Sequence, residues 1–170
     1  MTHESQPKNN SELFDSDADE AVRYLIDVQN NQPMLAVEID RMRMAIERTL
    51  RNVGITEAEI DLVLVDDEEI QGLNQQWLKH DYPTDVLSFT YNSPPKLEGE
   101  LIVGAERALR VSEEKQTSAQ DELIWYVVHG TLHLIGYEDG NPTQRETMRA
   151  REELVLRALG CDWPLEQETQ

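Results

Sequence analysis

The sequence predicts an α+β fold in which a small four-stranded sheet packs with about five helices. Four short apolar runs, several of them rich in β-branched residues and bounded by turn residues, are typical of strands. Five longer segments carry apolar residues at helical spacing. At 170 residues, the chain is long enough for one domain of ordinary size with its own hydrophobic core.

The first half of the domain contains two predicted strands, each followed by a helix. Asp66 has the side chain of a helix N-cap, and Glu69 lies where a capping-box partner is expected. In the helix after this cap, Ile70, Leu73 and Trp77 are expected to face the core. The predicted elements are a strand over 22–28, an amphipathic helix over 34–53 that stops at Gly54, a strand over 60–65 and a helix over 67–78.

The second half is predicted to hold two more strands and three helices. Asn141 and Pro142 have the residue types of an N-cap and a first helical position, and Gly160 follows the helix that they open. The helix over 119–135 is the longest apolar one, so we expect it at the centre of the domain. The predicted elements are strands over 86–91 and 99–103 and helices over 105–115, 119–135 and 142–159.

Charge and composition restrict the possible functions. The formal net charge is −19, and the segment 21–159 alone has 14 basic against 25 acidic residues, which argues against non-specific binding to nucleic acid or anionic membranes. Residues 1–20 are acidic and lack apolar periodicity, so we expect a disordered tail there and a single domain over 21–165. The sequence shows neither a membrane-spanning run nor a signal-peptide-like stretch, and Cys161 is its only cysteine, so we expect a cytoplasmic protein without an internal disulfide.

Two histidines on the central helix form the strongest candidate site. His129 and His133 lie one helical turn apart on one face, where two imidazoles can hold one metal ion. Gly136 can end the helix in a left-handed turn, after which Asp139 could fold back to the same ion. Three ligands and an open position describe a catalytic zinc site. A chance pair of hydrogen-bonded core histidines is the alternative.

Several motifs in this chain resemble those of one family. Residues 127–139 (VVHGTLHLIGYED) resemble the HGxLHLxGYDH signature of the YbeY family, bacterial single-strand-specific metallo-endoribonucleases. Residues 65–70 (VDDEEI), 83–89 (PTDVLSF) and 99–103 (GELIV) are similar to three further family segments in the same order. The resemblance extends over roughly residues 22–163.

The resemblance implies a fold, an activity and a substrate. The fold is a small mixed sheet with helices packed over it and the metal-bearing helix at its centre. The activity is zinc-dependent cleavage of single-stranded rRNA on the 30S subunit, in maturation of the 16S rRNA 3′ end and in ribosome quality control. The resemblance also implies one Zn²⁺ per chain, held by His129, His133 and Asp139. These three residues would act in catalysis through the metal.

Two positions depart from the family pattern. The third ligand of the family is usually histidine, whereas this chain has Asp139, and the adjacent Glu138 is an alternative ligand. A carboxylate binds zinc at a similar distance but shifts the ligand set towards harder ions such as Mn²⁺ or Fe²⁺. Leu78 stands where the family usually has an arginine that contacts RNA. Lys79 or His80 could replace that contact, or each could be a solvated loop residue.

Other residues near these motifs are candidates for substrate binding. Arg107 is a further candidate for phosphate contact, and Ser88 offers a hydroxyl unless it is simply a buried strand serine. Glu122 could orient a ligand histidine, although a solvated or helix-start acid is the plainer interpretation. Gly130 occupies the position at which HExxH proteases have their catalytic glutamate, which argues against that class. A catalytically weak ribosome-associated factor and a metal-dependent hydrolase of another substrate, including a protease, are the alternative functions.

Overall fold

A computed structural model describes residues 21–161 of the chain. The expected tail over 1–20, and residues 162–165 of the expected domain, lie outside this described part. The helices and strands are, in chain order, β1 (Arg23–Asn30), α1 (Ile39–Asn52), β2 (Glu57–Val65), α2 (Asp67–Leu78), β3 (Val86–Asn92), β4 (Lys96–Gly104), α3 (Ala105–Lys115), α4 (Ala119–Ile135) and α5 (Pro142–Ala158).

The four strands form one mixed sheet in the order β1-β2-β4-β3. β2 lies between β1 and β4 and runs parallel to both, with Ile60 opposite Ile26 on one side and Gly99 on the other. β3 runs antiparallel to β4, as two strands joined by a short turn do, and forms an edge of the sheet. The predicted α+β class and four-stranded mixed sheet are confirmed.

Helix α4 lies at the centre of the molecule, as its apolar sequence predicts. It packs against α1, α3, α5 and the strands β3 and β4. Among its residues, Leu123, Val127, Val128 and Leu132 are buried, because a helix enclosed on several sides needs apolar residues around most of its circumference. The opposite face of the sheet carries a smaller cluster that α2 covers, built from Val65, Ile70, Leu87 and Ile102.

Gly130 allows α4 to approach the sheet edge closely. A Cβ atom at this position would lie 2.7 Å from Cγ2 of Val86 and 3.0 Å from Cδ2 of Leu101. Only glycine fits without displacement of the helix, the strand or both side chains. The flanking His129 is therefore held beside β3, and this contact sets where the candidate site lies.

Side-chain caps define three helix starts. Asp66 accepts a hydrogen bond from the backbone N–H of Glu69, and Asn141 accepts one from Gln144, as the sequence predicts. At the start of α4, Ser118 accepts one from the backbone N–H of Asp121. The predicted bounds of α2, α3 and α4 agree with the structure. No helix in the part of the chain that is described is both long and apolar enough to cross a membrane.

The start of α1 was predicted five residues too early. The predicted helix begins at residue 34, whereas α1 begins at Ile39. The side chain of Gln32 accepts a hydrogen bond from the backbone N–H of Leu35 and donates one to its carbonyl oxygen, each at 2.9 Å. These bonds hold the segment after Pro33 in a loop, because they offer the backbone partners outside the helix.

Two strands begin well before their predicted starts. β2 begins at Glu57 and β4 at Lys96, each three residues before its predicted start. These polar ends lack the strand composition that prediction relies on. They are strands because Glu57 pairs with Arg23 of β1 and Lys96 of β4, so the ladder continues regardless of composition.

The prediction that Trp77 faces the core is wrong. Its side chain is 60% exposed, and it meets the ring of Phe89 edge-on with centroids 6.3 Å apart. Ile70 and Asn74 are the buried residues of α2, so this helix is covered along its first two turns and emerges into solvent in its last.

Candidate metal centre

The two histidines of α4 direct their rings to a common point. His129 and His133 are four residues apart, and their Nε2 atoms are 3.1 Å from each other. The rings stand nearly perpendicular, at 86°. Both side chains lie near the end of the helix and beside β3, and both are largely buried, at 15% and 24% exposure.

The turn after α4 brings a carboxylate to the same point. Gly136 ends the helix with φ of 110°, a left-handed conformation that favours glycine. The chain then reverses, and Oδ2 of Asp139 lies 3.6 Å from Nε2 of His129 and 3.7 Å from Nε2 of His133. Arg145 at the start of α5 donates a hydrogen bond to the Asp139 carbonyl, which ties the turn to the next helix.

The three atoms match the dimensions of a tetrahedral metal site. At metal–ligand bonds of 2.0–2.1 Å, two ligands of a tetrahedral ion are separated by about 3.3–3.4 Å. The observed separations of 3.1, 3.6 and 3.7 Å lie on both sides of that value. His129, His133 and Asp139 could therefore hold a metal ion, and Asp139, rather than the neighbouring Glu138, completes this group.

Each histidine has a second partner that fixes its orientation. Nδ1 of His133 lies 2.9 Å from the Tyr137 carbonyl oxygen, which can only accept a hydrogen bond, so this Nδ1 carries the proton. Nδ1 of His129 lies 2.6 Å from Oε1 of Glu152 on α5. Both Nε2 atoms are then left as lone-pair acceptors. Two lone pairs and a carboxylate oxygen converging within 4 Å repel one another, and a cation at their centre removes that repulsion.

The pKa of His129 is raised above its ordinary value. Burial alone lowers the pKa of this imidazole, because it disfavours the charged ring. The hydrogen bond and the negative charge of Glu152 outweigh that effect, with further contributions from Asp85 and Asp139. The surroundings of this ring therefore favour positive charge.

A groove of about 390 Å³ runs along β3 beside the histidines. Ser88 faces α4, since its hydroxyl donates to the Gly130 carbonyl at 3.0 Å, while Leu87 packs with the cluster under α2. Successive residues of β3 thus point to opposite faces of the sheet, and both kinds line the groove. The groove therefore follows the edge of this strand. The lining residues are Leu78, Val86, Leu87, Ser88, Phe89, Thr90, His133 and Glu138, and none of these eight is Lys or Arg.

The predicted substrate-binding residues occupy different positions relative to this groove. Ser88 lines it and is half-buried. Lys79 and His80 directly follow the lining residue Leu78 and are exposed, with His80 stacked on the ring of Tyr82. Arg107, at the start of α3, donates to the Pro83 carbonyl oxygen at 3.4 Å and thus contacts the loop that leads into β3.

Glu152 was missed in the sequence, and the expectation for Glu122 holds only in part. Glu122 lies in the first turn of α4, as an acid at a helix start, but it is not solvated: it is 2% exposed and pairs with Lys115 at 3.8 Å. The acid that contacts a ligand histidine is Glu152, which shares the buried side of α5 with Met148 and Val155. A charged residue in an otherwise apolar helical stripe was the signal in the sequence.

Fold and site together define a class of protein. The members of this class are α+β domains in which a central helix and its terminal turn present two histidines and a carboxylate beside an edge strand of the sheet. The family model described as Endoribonuclease YbeY matches residues 27–160. The chain therefore belongs to the endoribonuclease YbeY family.

Individual relatives show the same likeness. A protein of Rhodopirellula baltica named Endoribonuclease YbeY is 39% identical over 118 residues, which span 68% of this chain but 61% of the relative. A protein of the same name from Syntrophus aciditrophicus is 33% identical, and the match spans 82% of this chain and 92% of the relative. One from Salinibacter ruber is 34% identical, and the match spans 79% of this chain and 91% of the relative. The solution structure of a Thermotoga maritima protein has a similar fold, with a TM-score of 0.57 at 24% identity, over 79% of this chain and 89% of that one.

Proposed function

We propose that this protein is a metal-dependent endoribonuclease that cuts single-stranded RNA. The observation that carries the proposal is the position of the His129, His133 and Asp139 group beside a groove that follows the free edge of β3. Zinc, when bound there, supplies a Lewis acid that polarises a phosphoryl oxygen and acidifies water. His129, His133 and Asp139 hold the ion and would act in catalysis through it.

The groove suits an extended strand. An unpaired β-strand edge presents backbone N–H and C=O groups along its length, and a single nucleic-acid strand can lie beside it with its bases turned outward. Ser88 inside the groove and Lys79 and His80 at its rim offer polar contacts for such a strand. Arg107 contributes by holding the Pro83 carbonyl in the loop before β3.

Membership of the endoribonuclease YbeY family supports a ribosomal substrate. We propose that the RNA is the 3′ region of 16S rRNA, that the protein acts in the cytoplasm on the 30S subunit, and that it takes part in ribosome quality control. The relatives named Endoribonuclease YbeY support RNA cleavage as the activity. The chemistry of the ligand atoms supports one zinc ion per chain.

One observation favours a second candidate, a ribosome-associated factor with weak catalysis. None of the eight residues that line the groove is Lys or Arg, and Leu78 occupies the rim position where the family pattern has arginine. Affinity for phosphate is therefore expected to be low. A zinc protease of the HExxH type finds no support, because Gly130 is pressed against Val86 and leaves no room for a glutamate.

Metal content and RNA cleavage, measured on the same purified samples of the full chain, test the proposal. We expect about one zinc per chain by elemental analysis and cleavage of a single-stranded RNA but not of its duplex. Asp139→Ala is expected to lose the metal and the cleavage, whereas Glu138→Ala, which removes the adjacent carboxylate, is expected to keep the metal. Zinc without cleavage would favour the second candidate. A folded protein without affinity for zinc, manganese or iron would refute the enzyme proposal.

A further inference from the structure

Glu152 is a buried acid whose location in the helix requires an explanation. It is 8% exposed and lies on the side of α5 that carries Met148, Val155 and Leu156, all of which are buried. A carboxylate at such a position is unfavourable unless it is paired. Its partner is His129, with 2.6 Å between Oε1 and Nδ1.

The bond is made to the ring nitrogen that does not face the candidate metal position. Nε2 of His129 points to His133 and Asp139, whereas Nδ1 points to α5. A carboxylate that accepts a hydrogen bond from Nδ1–H selects the tautomer in which the proton stays on Nδ1 and Nε2 has a free lone pair. It also increases the electron density of the ring, which makes Nε2 a stronger donor to a metal.

We infer that Glu152 is the positioning residue of the metal centre, which orients His129 and raises the affinity of the site for a divalent cation. The inference rests on the metal binding that is part of the proposed function. His133 is oriented by the carbonyl of Tyr137, a group supplied by the same helix end. His129 depends instead on a side chain from another helix, so the packing of α5 on α4 contributes to metal affinity.

The negative charge of Glu152 also contributes to the electrostatics of the centre. Asp139 and Glu152 lie on opposite sides of His129, and their two charges together balance one divalent cation. A purely structural tie between α4 and α5 would need only a hydrogen bond. A neutral residue of the same shape therefore separates the two roles.

The test measures zinc affinity and ring tautomer in the full-length protein and in three variants. Glu152→Gln keeps the shape and a hydrogen bond but removes the charge, and Glu152→Ala removes both. Glu153→Gln is the matched control, because Glu153 is the next residue of α5, is paired with Arg157 at the surface and undergoes the same change in charge. Zinc dissociation constants come from competition with a chromogenic chelator, and the His129 tautomer comes from nitrogen-15 NMR of the imidazole ring.

We expect the dissociation constant for zinc to rise about 10-fold in Glu152→Gln and up to about 100-fold in Glu152→Ala, and to stay unchanged in Glu153→Gln. The Nδ1–H tautomer of His129 should dominate in the wild type and become mixed in Glu152→Ala. If that variant does not fold, Glu152→Gln decides by itself. Wild-type affinity and tautomer in Glu152→Gln would overturn the inference and leave the proposed function intact. A folded wild-type protein that binds neither zinc nor manganese nor iron would overturn both.

Discussion

Two buried glutamates of the described chain differ in what surrounds them. Glu152 is matched by a histidine ring at hydrogen-bond distance. Glu122 has the Tyr126 hydroxyl as a hydrogen-bond partner and Lys115 at 3.8 Å, but one of its oxygens has no hydrogen bond. Burial, the largest effect, raises the pKa of the Glu122 carboxyl, and the charge of Lys115 opposes it only in part. Folding therefore shifts the protonation equilibrium of Glu122 towards the neutral form, relative to the unfolded chain.

This pKa direction predicts how stability changes with pH. A carboxyl whose pKa is higher in the folded than in the unfolded state stabilises the fold below its unfolded pKa of about 4.3, and that contribution is lost as the pH rises through the folded pKa. Glu122→Gln has no carboxyl to ionise, so the variant does not lose this stability as the pH rises. We expect the free energy of unfolding of the variant, measured by urea denaturation, to rise relative to wild type between about pH 4 and pH 7.

The exposed Glu114 on α3 provides a control, since Glu114→Gln removes the same charge at the surface. Its difference from wild type should stay nearly constant over that pH range. An equally flat difference for Glu122→Gln would show that Lys115 and Tyr126 compensate fully for the burial of this carboxylate.

At the scale of elements, the contact of α4 with β3 determines the site. Glycine inside a helix normally weakens it by about 0.5–1 kcal/mol relative to alanine. Gly130 lies at the point where the helix backbone meets Val86 and Leu101, whereas a Cβ at Gly72 in α2 would meet nothing within 4 Å among the described residues. The same residue type thus serves packing in one helix and has no steric role in the other.

These two glycines form a matched pair for mutation. Gly130→Ala should lower the free energy of unfolding by about 1–3 kcal/mol, because the added methyl group overpacks the interface with β3. Gly72→Ala should raise it by about 0.5–1 kcal/mol, through helix propensity alone. Chemical denaturation of both variants checks the pair. A neutral or stabilising Gly130→Ala would mean that α4 can move away from the sheet at little cost.

At the scale of the whole molecule, the charge opposes the proposed substrate. The net charge of −19 repels RNA, and none of the residues that line the groove is Lys or Arg. Lys79 at the rim and Arg107 near the loop before β3 are the basic candidates for phosphate contact. Binding must therefore depend on the metal and on contacts to bases more than on neutralised phosphates.

This charge distribution predicts a weak dependence of RNA binding on salt. The logarithm of the binding constant for a single strand falls linearly with the logarithm of the salt concentration. The slope of this line is about −0.7 for each phosphate that the protein neutralises. With two cations near the groove in the described part of the chain, Lys79 and Arg107, we expect a slope no steeper than about −1.5. The slope is measured by fluorescence anisotropy on the zinc-loaded wild type with a single-stranded RNA analogue that cannot be cleaved. A slope steeper than about −3 would contradict this and place the RNA on another, basic surface.

Local patterns in the sequence were sufficient for much of the fold and for part of the site. Apolar periodicity predicted the bounds of α2, α3 and α4, and the caps Asp66 and Asn141 predicted the starts of α2 and α5, because these bounds depend on residues within one or two turns. The histidine pair and the turn at Gly136 could be recognised for the same reason. The polar starts of β2 and β4 could not, since a strand end depends on its neighbour in the sheet.

The sequence by itself placed the candidate ligands together, because His129, His133 and the two carboxylates Glu138 and Asp139 lie within one helix end and the turn that follows it. Only the tertiary structure decided that Asp139, rather than Glu138, completes the group, and which side chains support the ligands. Glu152 follows His129 by 23 residues and reaches its Nδ1 atom because α5 packs on α4. Glu122 lies closer in sequence, on the same helix, but the packing of α3 pairs it with Lys115 instead. Local spacing can place side chains on one face of a helix, but the partner of a buried charge depends on which elements pack there.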